Sequence, residues 1–321
     1  MRAMTDTKVL ITCPPMLVVM DRFRPRFEEH RIQIHCPKVI QTLSEKELLV
    51  LVPEYDGWIV GDDPATKKVL EAGRKGRLRA VVKWGIGVDN IDFSAAKECG
   101  ITVKNTPFLF GREVGDVAMS YIIGLARETF FIDREVRGGR WPKPQGISLG
   151  EKVVGLVGYG DIGRNIAKRA MASEMRVLVY DPAIKVGPIS DRCEAELWPK
   201  RLGECDFIVF ACSLTPENRH MLNAETLGMA KHRVRIVNIA RGPLIDEAAL
   251  VEGLRSGKVH SAALDVMEIE PLPMESTLKG FDRCIFGSHN ASNTIEAVQA
   301  ASERAMTLLF EMLAVIRAGC H

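Results

Sequence analysis

The feature that most constrains this chain is a strand-like run, Val153-Val154-Gly155-Leu156-Val157. It passes directly into Gly158-Tyr159-Gly160-Asp161-Ile162-Gly163 and then into a helical stretch, Arg164–Ala172. A G-x-G-x-x-G spacing alone is weak evidence, but between a strand and a helix each glycine has a physical task. Gly158 permits the tight turn, Gly160 lets main chain approach a pyrophosphate, and Gly163 lets the helix lie close on the strand. The helix N-terminus then offers unpaired N–H groups and partial positive charge to phosphate. The next predicted strand ends at Asp181, 18 positions after Gly163. A carboxylate there accepts hydrogen bonds from both ribose hydroxyls of NAD and repels the 2′-phosphate of NADP. The competing reading is a glycine-rich turn without a ligand and a surface aspartate before Pro182.

Around this motif the chain alternates short β-branched runs with helical stretches, the pattern of parallel sheets covered by helices. Before it, Lys8–Thr12, Gln33–Cys36, Gly57–Val60, Leu78–Lys83 and Ile101–Lys104 read as strands. Asp62 or Asp63 is placed to cap a helix starting at Pro64, Phe93–Cys99 reads as a short helix, and Val114–Arg127 as a long one. The Gly-, Pro- and Trp-bearing segment from Gly138 to Leu149 is the strongest internal boundary marker. Six further strands follow: Lys152–Gly158, Val177–Asp181, Phe207–Ala211, Arg235–Ile239, Ser261–Val266 and Cys284–Phe286. Thr294–Arg317 closes the chain as a helix with one apolar face. A length of 321 residues fits two such domains.

In parallel α/β sheets, ligands gather where the strands end. Three chemistry-bearing residues follow the fourth, fifth and sixth strands of the second series: Arg241, Glu270 and His289. Together they suit a 2-hydroxy acid and its 2-oxo partner. Arginine grips a carboxylate with a fixed fork. Histidine takes and returns the hydroxyl proton, and a carboxylate beside it orients the ring. Singly, each has a plainer reading: a turn tie or a pair with Asp246 for Arg241, a solvated loop charge for Glu270, a satisfied loop polar group for His289. Near-balance of 43 Lys plus Arg against 41 Asp plus Glu argues against nucleic acid as main partner. No apolar run approaches a membrane span, and the polar start, Met1 to Thr7, shows no secretory signal. The basic cluster Arg22–Arg26 is followed by Glu28 and Glu29 and reads as a solvated face. Eight scattered cysteines without a C-x-x-C pair indicate neither a zinc site nor a disulfide framework, so no metal is expected and a reducing cytoplasm is.

The chain resembles the D-isomer-specific 2-hydroxyacid dehydrogenases, close to the phosphoglycerate dehydrogenase branch. The residues that carry the resemblance are Trp84-Gly85-Ile86-Gly87-Val88-Asp89-Asn90-Ile91-Asp92, Asn105-Thr106-Pro107, Gly158–Gly163, Asn238–Gly242, Leu264–Val266 with Glu270-Pro271, and His289. The resemblance implies a Rossmann nucleotide domain, residues 106–292, inserted into a flavodoxin-like substrate domain made of 1–105 plus 293–321. Both are doubly wound parallel sheets. It implies Arg241 as substrate-binding, Glu270 as assisting and His289 as the acid/base, with NAD held also by Thr106, Asp161, Ile162, Cys212, Ile239 and Asp265. Read alone, Cys212 is a small core hydrophobe.

Gly85 and Gly87 either let main-chain amides around Ile86 and Gly87 face a substrate carboxylate or form an ordinary strand-ending turn. Lys83 either meets a distal anion, as on a phosphorylated three-carbon acid, or is a solvated lysine at a strand end. Ser288 before the histidine, an asparagine in the stretch Asn290-Ala291-Ser292-Asn293-Thr294 after it where a small apolar residue is usual, Cys212 and Lys83 depart from the family pattern. The expected activity is NAD-dependent hydride transfer at C2 of a D-2-hydroxy acid or 2-oxo acid, by a homodimer. The alternative is a dinucleotide-sensing transcriptional corepressor on the same fold. A formate-type dehydrogenase is disfavoured by Glu270, where that type carries glutamine.

Overall fold

A computed structural model describes the chain from Thr7 to Ala318; residues 1–6 and 319–321, including most of the polar start, lie outside the described residues. The chain divides into two compact units, Met1–Leu109 with Asn293–His321, and Phe110–Ser292.

The first unit is built on five parallel strands: β1 (Thr7–Ile11), β2 (Ile32–His35), β3 (Gly57–Val60), β4 (Ala80–Lys83) and β5 (Thr102–Asn105). Their spatial order is β2-β1-β3-β4-β5, the flavodoxin-like order. β3 and β4 are buried at every position, which is why both read as unbroken apolar runs rather than alternating ones. Trp58, Leu70 and Leu78 lie in the core on one side of them. The closing helix, Ile295–Ala318, packs against β3 and β4. Gly57 makes room for it, because a Cβ there would already stand 3.0 Å from Leu309. The Trp84 indole N–H donates to Ser302 Oγ at 3.1 Å and ties the same helix to the end of β4.

The predicted cap at Asp62 or Asp63 is corrected by the structure. The helix is Lys67–Lys75, and Thr66 Oγ1 accepts the Val69 N–H at its start. Both aspartates are engaged elsewhere. Asp63, fully buried, accepts from the Thr12 hydroxyl and the Leu43 amide, while Asp62 pairs with Lys83.

The second unit holds eight strands where six were expected: β6 (Val153–Val157), β7 (Arg176–Tyr180), β8 (Gly187–Ser190), β9 (Cys193–Ala195), β10 (Phe207–Phe210), β11 (Val234–Asn238), β12 (Val259–Leu264) and β13 (Ile285–Phe286). The order is β13-β12-β11-β10-β6-β7-β9-β8, and all neighbours are parallel except β8 with β9. The additional pair went unseen because β8 contains Gly187 and Pro188 and is mostly exposed. That is edge-strand composition, which in sequence reads as loop. The sheet order turns back between β10 and β6, and the glycine motif follows β6 at this switch point.

The segment 138–149, predicted as a boundary, lies inside the second unit. Its glycines instead close a helix, Thr129–Arg137, to which the sequence reading assigned no element; the predicted helix Val114–Arg127 is observed as Gly111–Arg127. Between those two helices Glu128 takes a left-handed backbone, φ 54°. Its side chain is buried against Arg283 (3.0 Å) and His260 (3.5 Å).

Burial, reinforced by the positive charges of Arg235, Arg233 and Arg283, holds the His260 imidazole down to about 4. The folded chain therefore keeps His260 neutral over a range in which the unfolded chain protonates it. The resulting stability is present above about pH 6.5 and lost as pH falls toward 4. Urea unfolding at pH 7 and pH 5 should show wild type losing on the order of 2 kcal/mol more than His260→Gln between the two. Equal losses in the two proteins would remove His260 as the cause.

Candidate active site

The glycine motif has the shape its spacing predicts. Gly158 adopts φ +98°, and a Cβ there would lie 2.7 Å from the Cys212 amide nitrogen. A Cβ on Gly163 would lie 2.1 Å from the Gly158 carbonyl, so helix 161–172 touches the turn through main chain. Above Gly160 a Cβ meets nothing within 4 Å, which leaves open space on the face where a pyrophosphate would lie. Asp161 and Ile162 open helix 161–172, where main-chain amides lack intrahelical acceptors. Asp181 follows β7 and accepts the Tyr159 amide at 2.6 Å and the Ala183 amide at 2.9 Å. This holds its carboxylate beside the motif. These residues fit a dinucleotide.

Cys212 and Ile239 follow β10 and β11 on the same sheet edge. Ile239 is buried, and burial pushes the half-buried Cys212 thiol up to about 11, so it stays protonated. Thr106, also expected among the cofactor contacts, lies in the first unit. It is fully buried, with Oγ1 accepting the Gly85 amide at 2.8 Å.

Three strand ends of the second unit carry the reactive residues. Arg241 follows β11 and donates from Nη1 to the Ala240 carbonyl at 2.8 Å. The turn after it packs main chain on main chain, since a Cβ on Gly242 would stand 1.9 Å from the Met267 carbonyl oxygen. The loop after β12 bends back on itself, with Glu270 Oε1 accepting the Met267 amide at 3.0 Å. The other oxygen, Oε2, meets His289 Nδ1 at 2.9 Å. A carboxylate accepts from the ring, so this contact assigns the hydrogen to Nδ1. Both side chains are about one-fifth exposed, open enough to meet a small molecule.

Asp265 ends this strand region almost fully buried, and its carboxylate faces the loop that carries His289. Sequence reasoning missed two residues here. Tyr121, on helix 111–127, places its hydroxyl against Asp265. His220 Nε2 meets Glu268, two positions before Glu270. Neither stands in a motif; each is a single polar residue whose meaning depends on a contact distant in sequence.

In the first unit, Gly85 (φ +132°) opens the loop after β4. Asn105 Nδ2 braces it through the Ile86 carbonyl at 3.1 Å. Lys83 is not the solvated lysine of the plainer reading. It is 2% exposed, and its ammonium donates to the Gly61 carbonyl at 2.7 Å and to Asp62 Oδ1 at 2.8 Å. Among the described residues no group of three or more His, Cys, Asp and Glu side chains is arranged to hold a metal.

The two glycines separate packing from binding. Gly160→Ala should leave the melting temperature within about 2 °C of wild type and weaken NADH at least about tenfold, since its Cβ fills only open space. Gly163→Ala should lower the melting temperature by roughly 3–10 °C, because main chain must shift. Thermal melts and NADH fluorescence titrations check both, and tight NADH binding by Gly160→Ala would contradict the pyrophosphate reading.

A family model described as D-isomer specific 2-hydroxyacid dehydrogenase, NAD binding domain, matches residues 119–291. A hydroxypyruvate reductase from Thermotoga maritima is 37% identical over 279 residues, covering 85% of this chain and 90% of that protein. A D-3-phosphoglycerate dehydrogenase from Methanocaldococcus jannaschii is 36% identical over 270 residues; the match covers 82% of this chain but only 51% of that protein. Among solved structures, the TT0316 protein from Thermus thermophilus superposes with a TM-score of 0.83 at 30% identity, over 96% of this chain and 97% of that one. With the family model spanning more than half of the sequence and a relative this similar along most of both lengths, the chain belongs to the D-isomer-specific 2-hydroxyacid dehydrogenase family, as an NAD-dependent oxidoreductase.

Proposed function

We propose that this dehydrogenase reduces small 2-oxo acids without a distal anion, of the glyoxylate or hydroxypyruvate kind, to D-2-hydroxy acids with NADH. The observation that carries the reading is the burial of Lys83 in its pair with Asp62. The cation that would have met a distal phosphate is neutralised inside the fold, and extracting it would break a buried ion pair. The match along nearly the full length of a hydroxypyruvate reductase supports the same choice. A phosphorylated substrate is the alternative, supported by the similarity to D-3-phosphoglycerate dehydrogenases but not by the placement of Lys83.

When bound, NAD supplies the hydride donor or acceptor. The protein's residues do the rest. His289 Nε2 gives a proton to the carbonyl oxygen as the 2-oxo acid is reduced and takes it back from the hydroxyl in the reverse direction. Glu270 fixes the ring by accepting from Nδ1 and stabilises the imidazolium. Arg241 holds the carboxylate common to all these acids, and the Ile86 and Gly87 amides of the first unit are proposed as further substrate contacts. Asp181 selects NAD over NADP by repelling the 2′-phosphate.

A homodimer in the cytoplasm goes with this reading. Ile123, Phe130, Val136 and Trp141 are exposed apolar side chains on neighbouring stretches of the second unit, suited to being covered by a second copy.

A panel of glyoxylate, hydroxypyruvate and phosphohydroxypyruvate with NADH and NADPH tests the proposal. The unphosphorylated acids should be preferred, with NADH favoured. His289→Ala should lower turnover by about 10²–10⁴-fold with NADH affinity unchanged. Lys83→Met should reduce activity on all three acids alike and lower the melting temperature by roughly 2–6 °C, as loss of an internal pair does. A selective rise in KM for the phosphorylated acid would reinstate Lys83 as a substrate contact.

A further inference from the structure

The loop that carries His289 is held by an uncommon main-chain device. His289 adopts a left-handed backbone, φ 55°, and this turns three successive amides toward Asp265. The His289 N–H donates to the Asp265 carbonyl at 2.7 Å, the Asn290 N–H to Oδ1 at 3.3 Å and the Ala291 N–H to Oδ2 at 3.0 Å. Consecutive N–H groups converging in this way form an anion-binding nest, and here the anion is the protein's own buried carboxylate. A further donor comes from outside the loop. The Tyr121 hydroxyl, on helix 111–127, reaches Asp265 Oδ1 at 3.4 Å.

Gly287 is fitted to the same contact. A Cβ at 287 would stand 2.0 Å from Asp265 Oδ1 and 2.5 Å from the Tyr121 hydroxyl, so the glycine leaves the space in which the two side chains meet. Tyr121 is itself 8% exposed, and burial with the neighbouring carboxylate raises its phenol well above the usual range. It therefore stays a hydroxyl and donates at any working pH.

From this geometry we infer that Tyr121 is a positioning residue for the proton transfer. Its hydroxyl fixes the Asp265 carboxylate, the carboxylate fixes the amides of residues 290 and 291, and these hold His289 in the backbone conformation that aims Nδ1 at Glu270. The inference rests on His289 as the acid/base. Tyr121 touches no reacting atom, so its removal should disturb the aim of His289 without disturbing the Arg241 contact that holds substrate; Asp265 is also an expected NAD contact, so a modest loss of NADH affinity accompanies it.

Tyr121→Phe deletes one oxygen and keeps the packing. Steady-state reduction of hydroxypyruvate by the full chain should show kcat down about tenfold, the loss of roughly one hydrogen bond to a charged group. KM for hydroxypyruvate should stay within about twofold of wild type. Amide exchange at Asn290 and Ala291 should speed up while the melting temperature and exchange elsewhere hold. A variant with wild-type kcat overturns the inference. So does one whose kcat, KM and melting temperature fall together while exchange at 290 and 291 is unchanged, because that pattern is general loosening. His289→Ala is run beside it. If that variant keeps its turnover, the acid/base reading fails and takes this inference with it. If it is inactive and Tyr121→Phe is not impaired, only the role of Tyr121 falls.

Discussion

The reactive geometry of the second unit depends on parallel strand pairing. β11, β12 and β13 run side by side in one direction, so the chain leaves all three on the same edge. Three loops then compete for one small volume, and main chain fills much of it. The Gly242 Cα rests on the Met267 carbonyl, and Glu270 folds back to cap the Met267 amide. A side chain at 242 would push the arginine turn away from the glutamate loop. Peptide groups of three loops thus set where Glu270 and His289 can meet.

How much of this was legible in the sequence follows from the range of each interaction. The glycine turn, Asp181 and the strands around them are local features, written in consecutive residues whose sterics are decided within a turn or two. The trio Arg241, Glu270 and His289 was legible one step less directly, through the rule that strand ends share an edge. Tyr121 and Asp265 lie 144 residues apart, and no periodicity announces such a contact. The β8–β9 pair stayed hidden for the opposite reason: Gly187 and Pro188 are loop residues that an edge strand tolerates because one side of it needs no partner.

Lys83 shows where a residue's type misleads. A lysine at the end of a strand near a glycine-rich loop reads as an anion hook. The neighbours that hold it, the Gly61 carbonyl and the Asp62 carboxylate, follow β3, the adjacent strand. Asn90 also donates to the Gly61 carbonyl, at 3.1 Å, so one peptide group gathers donors from the end of β4 and from the loop after it. The ammonium acts here as a rivet between strand ends. The charge is thereby withdrawn from the surface, with Lys83 only 2% exposed.

The first unit is made from two separated stretches of chain, and this has a consequence for biosynthesis. Its strands β1–β5 are made first, but the helix that covers β3 and β4 begins only at Ile295. Roughly 180 residues of the second unit must be translated in between, which at 5–20 residues per second takes on the order of 10–40 s. For that interval an apolar sheet face stands uncovered on the ribosome, while the second unit is free to complete its own sheet. The order of folding is then the reverse of the order of synthesis. The nascent sheet, rather than the finished enzyme, is the state most exposed to aggregation and most in need of a chaperone.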